Sequence, residues 1–344
     1  MALPSKHIVF ITPALAGGGI EKSTPILIES IAKLITAPMM WIGINESEFH
    51  RKLPHVTVVS VRRRSKDGLI KTFLALLRIR NHIRGIENPL LIVNGEVAEM
   101  FAALFAWKWK IICVEHASLP WIKKRILGRM VRLVLSRRSV RWVTVNSRQE
   151  RIWPSITSFI CIPNPVLPSE PNPADSGMGL VYIGRMTEGK NVELVCEASV
   201  KAQFRLDIFG DGELSGQLQK RFEGRGDIHF HGYVEDVWSS IGANRVFVSP
   251  SLHEGDGRSI AEAIIRNQPL MLLDTPDHRR FSLSDMNYFV SLEDLVRKLV
   301  MNQPEYFKGI RPSESVAKGE QLFRDPTRVA SMWEQLIIQA DKET

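Results

Sequence analysis

Apolar residues along this chain fall into two alternating kinds of run. Short blocks such as Ile8–Ile11, Leu90–Val93, Val246–Val248 and Leu270–Leu273 are apolar throughout, as a strand covered on both faces requires. Further strand blocks read at Met39–Ile44, Val56–Val61, Lys110–Val114, Arg141–Val145, Gly179–Gly184, Phe204–Phe209 and Ile228–His231. Between them, Glu21–Leu34, Leu69–Ile83, Glu99–Trp107, Val192–Ala202, Leu214–Phe222 and a short stretch near Val237–Ile241 carry apolar residues at helical spacing. Strand followed by helix, repeated, predicts parallel sheets with crossover helices. The alternation runs twice. The halves are divided by Cys161–Val166 and then Pro168, Pro171 and Pro173, which read as an inter-domain linker because prolines at this density suit neither a helix nor a central strand. A last helix, Pro326–Ala340, sets Val329, Met332, Trp333, Leu336 and Ile337 on one stripe. The expected architecture is α/β, with two Rossmann-like doubly wound domains facing a central cleft. Residues 1–165 form the first domain and 166–325 the second, and the helix in 326–344 packs back toward the first.

Composition changes this picture little, but charge does. At 344 residues with 44% hydrophobic content, each half is long enough to bury a core. Cys113, Cys161 and Cys196 match no zinc or disulfide spacing and read as buried free thiols in a reducing compartment. The net charge is +8, and Val61–Arg151 alone holds 20 Lys and Arg against 6 Asp and Glu. That excess points to an anionic partner: nucleic acid, an anionic membrane surface or a phosphorylated substrate. Trp121–Ser139 interleaves basic residues with Trp121, Ile122, Ile126, Leu127, Met130, Leu133 and Val134, a pattern suited either to anionic lipid or to packing on the sheet with a wet basic face. His7–Ala16 superficially resembles a short signal peptide, but Pro13 interrupts it and a glycine loop and helix follow, so a first strand fits better. No run of about 18 apolar residues offers a membrane span.

The candidate chemistry centres on Ser249–Ile265. It leaves an apolar strand, passes a loop with Gly255 and Gly257, and opens a helix at about Ser259. Glycines allow close backbone approach, and a helix N-terminus offers unpaired N–H groups to an anion. Glu254 and Glu262 flank that anion site, which suits a ligand carrying both phosphate and hydroxyls, such as a nucleotide-sugar. The plainer alternative is a strand–loop–helix corner with solvated acids. Gly17, Gly18 and Gly19 form a second tight loop after the first strand, without the full dinucleotide spacing. Asn94-Gly95-Glu96 and Glu115-His116-Ala117-Ser118 stand at the C-terminal ends of strands, where open parallel sheets bind ligands. Asn146 and Ser147 read as the cap of a following helix.

Several of these stretches, in order, resemble the GT-B glycosyltransferases, specifically the retaining enzymes of glycosyltransferase family four. Glu254 and Glu262 match that family's Glu-x7-Glu signature. Tyr182–Leu194, Phe209–Glu213, Phe230–Asp236 and the Thr12–Glu21 loop look like its other landmarks. The likeness is dense from Gly179 to Leu273 and patchy before that. The resemblance implies GT-B architecture, with the acceptor on the first domain and a nucleoside-diphosphate sugar on the second. It implies that Arg185 and Lys190 clamp the diphosphate, that Glu262 accepts the ribose hydroxyls and that Glu254 meets the donor sugar. Glu254, His116, Arg185 and Lys190 would carry the chemistry. Gly17, Gly18, Gly19, Gly184, Tyr233, Val234, Gly255, Asp256, Gly257, Arg258 and Ser259 would complete the donor site, and His116, Asn94 and Glu96 would face the acceptor. Two departures stand out. Asp256 replaces a frequent Phe, placing a negative charge near a phosphate site, so that it either turns outward or selects a particular sugar. Asn267-Gln268 stands before Pro269, where the family often has Gly.

The expected reaction is transfer of a sugar, with retention, to a hydroxyl of a glycan or lipid-linked acceptor in cell-surface polysaccharide biosynthesis, lipopolysaccharide included. No metal or other cofactor is expected, since no Asp-x-Asp pair closes a strand. The expected location is the cytoplasm, at the inner face of the cytoplasmic membrane, with peripheral contact to anionic lipid. Competing readings are a sugar-nucleotide epimerase of the same fold, an inactive transferase, and a basic nucleic-acid-binding protein, although no nucleic-acid motif is present.

Overall fold

A computed structural model describes residues 7–47, 53–64, 67–116, 120–121, 124–138, 140–146, 159–167, 177–301 and 304–342. Ala117, Ser118, Ser147, and the prolines at 168, 171 and 173 lie outside the described residues.

The chain divides into two compact units, 1–167 with 324–344, and 168–323. The first contains β1 (Ile8–Thr12), α1 (Gly19–Ala32), β2 (Met39–Asn45), β3 (Val56–Arg63), α2 (Leu69–Ile83), β4 (Leu90–Asn94), α3 (Glu96–Phe105), β5 (Lys110–Glu115), α4 (Arg125–Ser136), β6 (Val140–Thr144) and β7 (Phe159–Cys161). The second contains β8 (Gly179–Ile183), α5 (Val192–Ala202), β9 (Leu206–Phe209), α6 (Ser215–Phe222), β10 (Ile228–Gly232), β11 (Arg245–Ser249), α7 (Arg258–Ile265) and β12 (Leu270–Leu273). It continues with α8 (Pro276–Arg279), β13 (Tyr288–Phe289), α9 (Leu292–Val300), α10 (Pro304–Gly309) and α11 (Glu314–Phe323). The tail helix α12 (Pro326–Lys342) belongs to the first unit and packs on α1.

Both sheets are parallel throughout. The first has strand order β3-β2-β1-β4-β5-β6-β7 and the second β10-β9-β8-β11-β12-β13. In each, strand order reverses beside the first strand, between β1 and β4 and between β8 and β11. Loops leaving the C-terminal ends of the strands diverge there and open a crevice. Each sheet is covered on both faces. In the first unit, α2, α3 and α4 pack on one side and α1 and α12 on the other. In the second, α5, α6 and α9 cover one side, and α7 with Trp238 and Phe281 covers the other. No helix among the described residues is long and apolar enough to cross a membrane.

Two stretches gain definition from their contacts in the first unit. Cys161 closes β7, and Ile162 and Val166 are buried in the first unit. The backbone there is tied to Arg324, which receives Val166 N–H on its carbonyl at 3.0 Å and donates its guanidinium to Asn164 O at 3.2 Å. The prolines in this stretch therefore mark an extended segment packed in the first unit, which ends where the chain divides between residues 167 and 168. Within Trp121–Ser139, Trp121 is buried, as the packed alternative expects, its indole N–H donating to Glu99 at 2.9 Å.

Candidate functional site

In the second unit, four loops meet at the C-terminal end of the sheet. The turn after β8 is pinned to the turn after β9 by Gly184 N to Phe209 O at 3.0 Å and Met186 N to Asp211 O at 3.0 Å, and Gly210 N reaches Gly232 O at 2.7 Å after β10. Only glycine fits at 210: its φ is +130°, and a Cβ there would lie 2.0 Å from Gly184 O. The loop after β11 joins them through Leu252 N to Gly189 O at 3.0 Å. Main-chain bonds thus hold these loops where their side chains converge.

Lys190 Nζ lies 2.5 Å from Glu254 Oε1, bridging the β8 and β11 loops across the point where strand order reverses. Burial pushes the Glu254 carboxyl up, but the Lys190 charge and hydrogen bond outweigh it and hold the group below the usual carboxylate range. Beneath it, Asp277 accepts Glu254 N–H at 2.9 Å. His278 is fully buried: its Nδ1 donates to Leu273 O at 2.6 Å, and its Nε2 faces Ser249 Oγ at 3.3 Å. Burial holds that imidazole below its ordinary value, so it stays neutral.

Helix α7 begins after Gly257, which sits at φ +60° and ψ +41° and gives no side-chain cap. Its first N–H groups therefore project into the loop cluster with the positive end of the helix dipole. Glu262, one turn in, has both oxygens engaged: Oε1 accepts from Arg258 Nε at 2.8 Å and Oε2 from Trp238 Nε1 at 2.8 Å. Each carboxylate oxygen retains a second lone pair for a hydroxyl. Arg185 is exposed and its guanidinium makes no hydrogen bond or ion pair with a described residue, while Tyr182 Oη donates to its carbonyl at 2.9 Å. Gly184, Arg185, Lys190, Tyr233, Val234, Glu254, Gly255, Asp256, Gly257, Arg258, Ser259 and Glu262 all fall on these loops or on the first turns of α7. Asp256 does not turn outward. It is buried, and its carbonyl accepts from Arg280, whose guanidinium lies against Gly257.

The first unit builds a different site. His116, just after β5, has its Nε2 2.8 Å from Asn94 Oδ1 at the end of β4. Because Asn94 Nδ2 donates to Ile11 O at 3.2 Å, Oδ1 is the accepting end and Nε2 carries the proton. Asn164 Nδ2 approaches His116 Nδ1 at 3.4 Å. Together with Ser23, Thr24 and Trp333 these residues line a cavity of about 20 Å³, room for one water-sized group. Gly17, Gly18 and Gly19 form the turn from β1 into α1 in this unit, with Gly17 at φ +110°. Glu96 does not join His116; its carboxylate accepts Trp121 N–H at 2.9 Å. Asn164 is not marked by the sequence, because it lies in a proline-rich stretch that carries no glycine or charge signature. Asp277 and His278 were missed too, since their stretch carries no glycine signature.

Residues 177–299 match the family described as "Glycosyl transferases group 1". That match lies within the second unit. The whole chain is similar in fold to solved glycosyltransferase structures. Sucrose-phosphate synthase from Thermosynechococcus elongatus superposes with a TM-score of 0.79 at 16% identity, covering 98% of this chain and 100% of that one. HepE of Anabaena, solved with UDP and glucose, gives 0.75 at 13% identity, covering 96% and 98%. The lipopolysaccharide outer core galactosyltransferase WaaB gives 0.67 at 16%, covering 97% and 99%. The chain therefore has the GT-B glycosyltransferase fold. No curated protein is similar enough in sequence to count as a match.

Proposed function

We propose that this protein is a retaining, metal-independent glycosyltransferase that uses a nucleoside-diphosphate sugar. The observation that carries the reading is the Lys190–Glu254 pair, set between the β8 and β11 loops beside the start of α7. The similar HepE and TarM structures hold UDP, which supports the same donor class here. A diphosphate at the head of α7 would meet the helix N–H groups, Lys190 and Arg185. Lys190 would then stand between the phosphate and Glu254. Glu262 would take the ribose hydroxyls on its remaining lone pairs.

As the bond from the anomeric carbon to the leaving phosphate oxygen breaks, negative charge grows on the diphosphate and positive charge on the sugar ring. Lys190, Arg185 and the helix end stabilise the first, so the reading assigns no metal to the step. The ionised Glu254 stabilises the second. The acceptor oxygen bonds to the same face of the carbon, and its proton passes to a leaving diphosphate oxygen. His116 and Asn94 would orient the acceptor. The acceptor is a glycan or lipid-linked hydroxyl at the cytoplasmic face of a membrane, in cell-surface polysaccharide assembly. The basic first unit and the fold shared with WaaB favour that choice. Donor turnover tests the site: Lys190→Ala and Glu262→Ala should each lose most of it. Unchanged turnover in both variants would remove the assignment. An isomer of the donor formed without acceptor would favour the epimerase reading instead.

A further inference from the structure

We propose that the outward face of the α2–α3–α4 layer is a docking surface for an anionic lipid bilayer. The sheet-facing side of α4 is Gly128, Val131, Arg132 and Leu135, all buried. At 3.6 residues per turn, Ile126, Met130 and Leu133 stand on the opposite side of the helix, and all three are exposed, Ile126 at 77%. The helix thus has two apolar faces, and only one of them is covered. Helix α2 repeats the arrangement. Thr72, Ala75, Leu76, Ile79 and Ile83 face the sheet, while Ile70, Phe73 and Leu74 face out, Ile70 at 79% exposure. Helix α3 lies between them, in contact with both. Phe73 reaches across to Phe105 with ring centroids 6.2 Å apart. Just past α3, Trp107 is 68% exposed, with the Arg138 guanidinium 3.8 Å above its ring.

The charge carried by α2 and α4 themselves has one sign, with Asp67, just before α2, pairing Lys71 at 3.3 Å. Neither α2 nor α4 contains an Asp or Glu, and Lys71, Arg78, Arg80, Arg125 and Arg129 are exposed along them. The two buried acids facing this layer from within, Glu99 and Glu115, are both engaged by Arg132. Protruding apolar side chains flanked by cations and an exposed tryptophan match the headgroup boundary of an anionic membrane. There apolar tips enter the acyl region, and Lys and Arg stems let their charges remain among phosphates. Separate apolar tips standing among cations on two helices suit a deformable bilayer better than a shaped protein partner. The inference deepens the reading of a membrane-borne acceptor and draws its purpose from it. Because the surface belongs to the first unit and the donor loops to the second, vesicle binding and donor binding fail separately.

The test is co-sedimentation of the full chain with vesicles of phosphatidylcholine alone or with 30 mol% phosphatidylglycerol. Binding to anionic vesicles should exceed binding to neutral ones by at least tenfold, falling as NaCl rises from 50 to 500 mM. Arg125→Gln with Arg129→Gln, and separately Ile126→Ser with Ile70→Ser, should each reduce it at least fivefold. Both variants should keep wild-type melting temperature and wild-type response to nucleotide. Equal binding to both vesicle types, or wild-type binding by both variants, would overturn the proposal. So would heparin binding as strong as vesicle binding with no effect of the serine variant, which would mark a polyanion site. A concentration-dependent dimer abolished by the serine variant would instead assign the face to a second copy.

Discussion

The two units share a parallel doubly wound plan and use the ends of their strands differently. The second concentrates charge there: Lys190 against Glu254 and Arg258 against Glu262, on loops whose glycines let backbone and ligand approach. The first places neutral groups there, with His116 held between Asn94 and Asn164. Its ionic cluster lies inside the protein, where Arg132 joins Glu99 and Glu115. A charged rim suits a diphosphate, whose binding must be electrostatic. A neutral rim suits a hydroxyl, which needs direction more than charge.

The largest effect should come from breaking the inner cluster. Arg132→Met leaves Glu99 and Glu115 buried without their cation, which should cost about 3–5 kcal/mol in urea unfolding. A cost below 1 kcal/mol would show that the cluster does not hold α4 to the sheet. At the charged rim, Lys190→Ala should lower donor turnover by about 10²–10³-fold, the range seen when a group stabilising transition-state charge is removed. At the neutral rim, Asn164→Ala should lower turnover by about fivefold while nucleotide binding stays unchanged, since one neutral hydrogen bond is worth about 1 kcal/mol. Equal losses at Lys190 and Asn164 would erase the contrast between the two sites.

A smaller effect concerns pH. Burial depresses the folded His278 below its ordinary value of 6.5. The unfolded chain therefore takes up the proton first as pH falls. The contribution of neutral His278 to stability is full above about 6.5 and is lost below it, toward the folded value. The melting temperature should drop between pH 7 and pH 5, and His278→Gln should shrink that drop. An unchanged profile would remove His278 from the account.

What could be read in advance follows the same contrast. The second unit's site lies in contiguous segments marked by glycine and charge, so Gly184–Lys190 and Glu254–Glu262 stand out in the chain. The first unit's site is assembled from neutral residues as distant as Asn94 and Asn164, and the prolines around Asn164 pointed to a linker. Strands such as Leu270–Leu273 were legible because apolar runs have one reading in a covered sheet. The α8–α11 region was less legible: α8 and α10 span only four and six residues, too short for a helical period to show, although α9 does carry a stripe at Leu292, Leu295, Val296 and Leu299. For Trp121 the sequence leaves lipid contact and packing on the sheet both open, and the buried Glu99 that receives its indole N–H is found only in three dimensions.

The most direct test of the central claim, that the second unit's loops hold a nucleoside diphosphate, is a thermal-shift panel of UDP-, GDP- and ADP-sugars on the wild type and Lys190→Ala. A ligand bound only by the folded state raises the melting temperature. A rise with one nucleotide class that is lost in Lys190→Ala is the expected result. No rise with any of them, or a rise that Lys190→Ala leaves intact, would contradict the assignment.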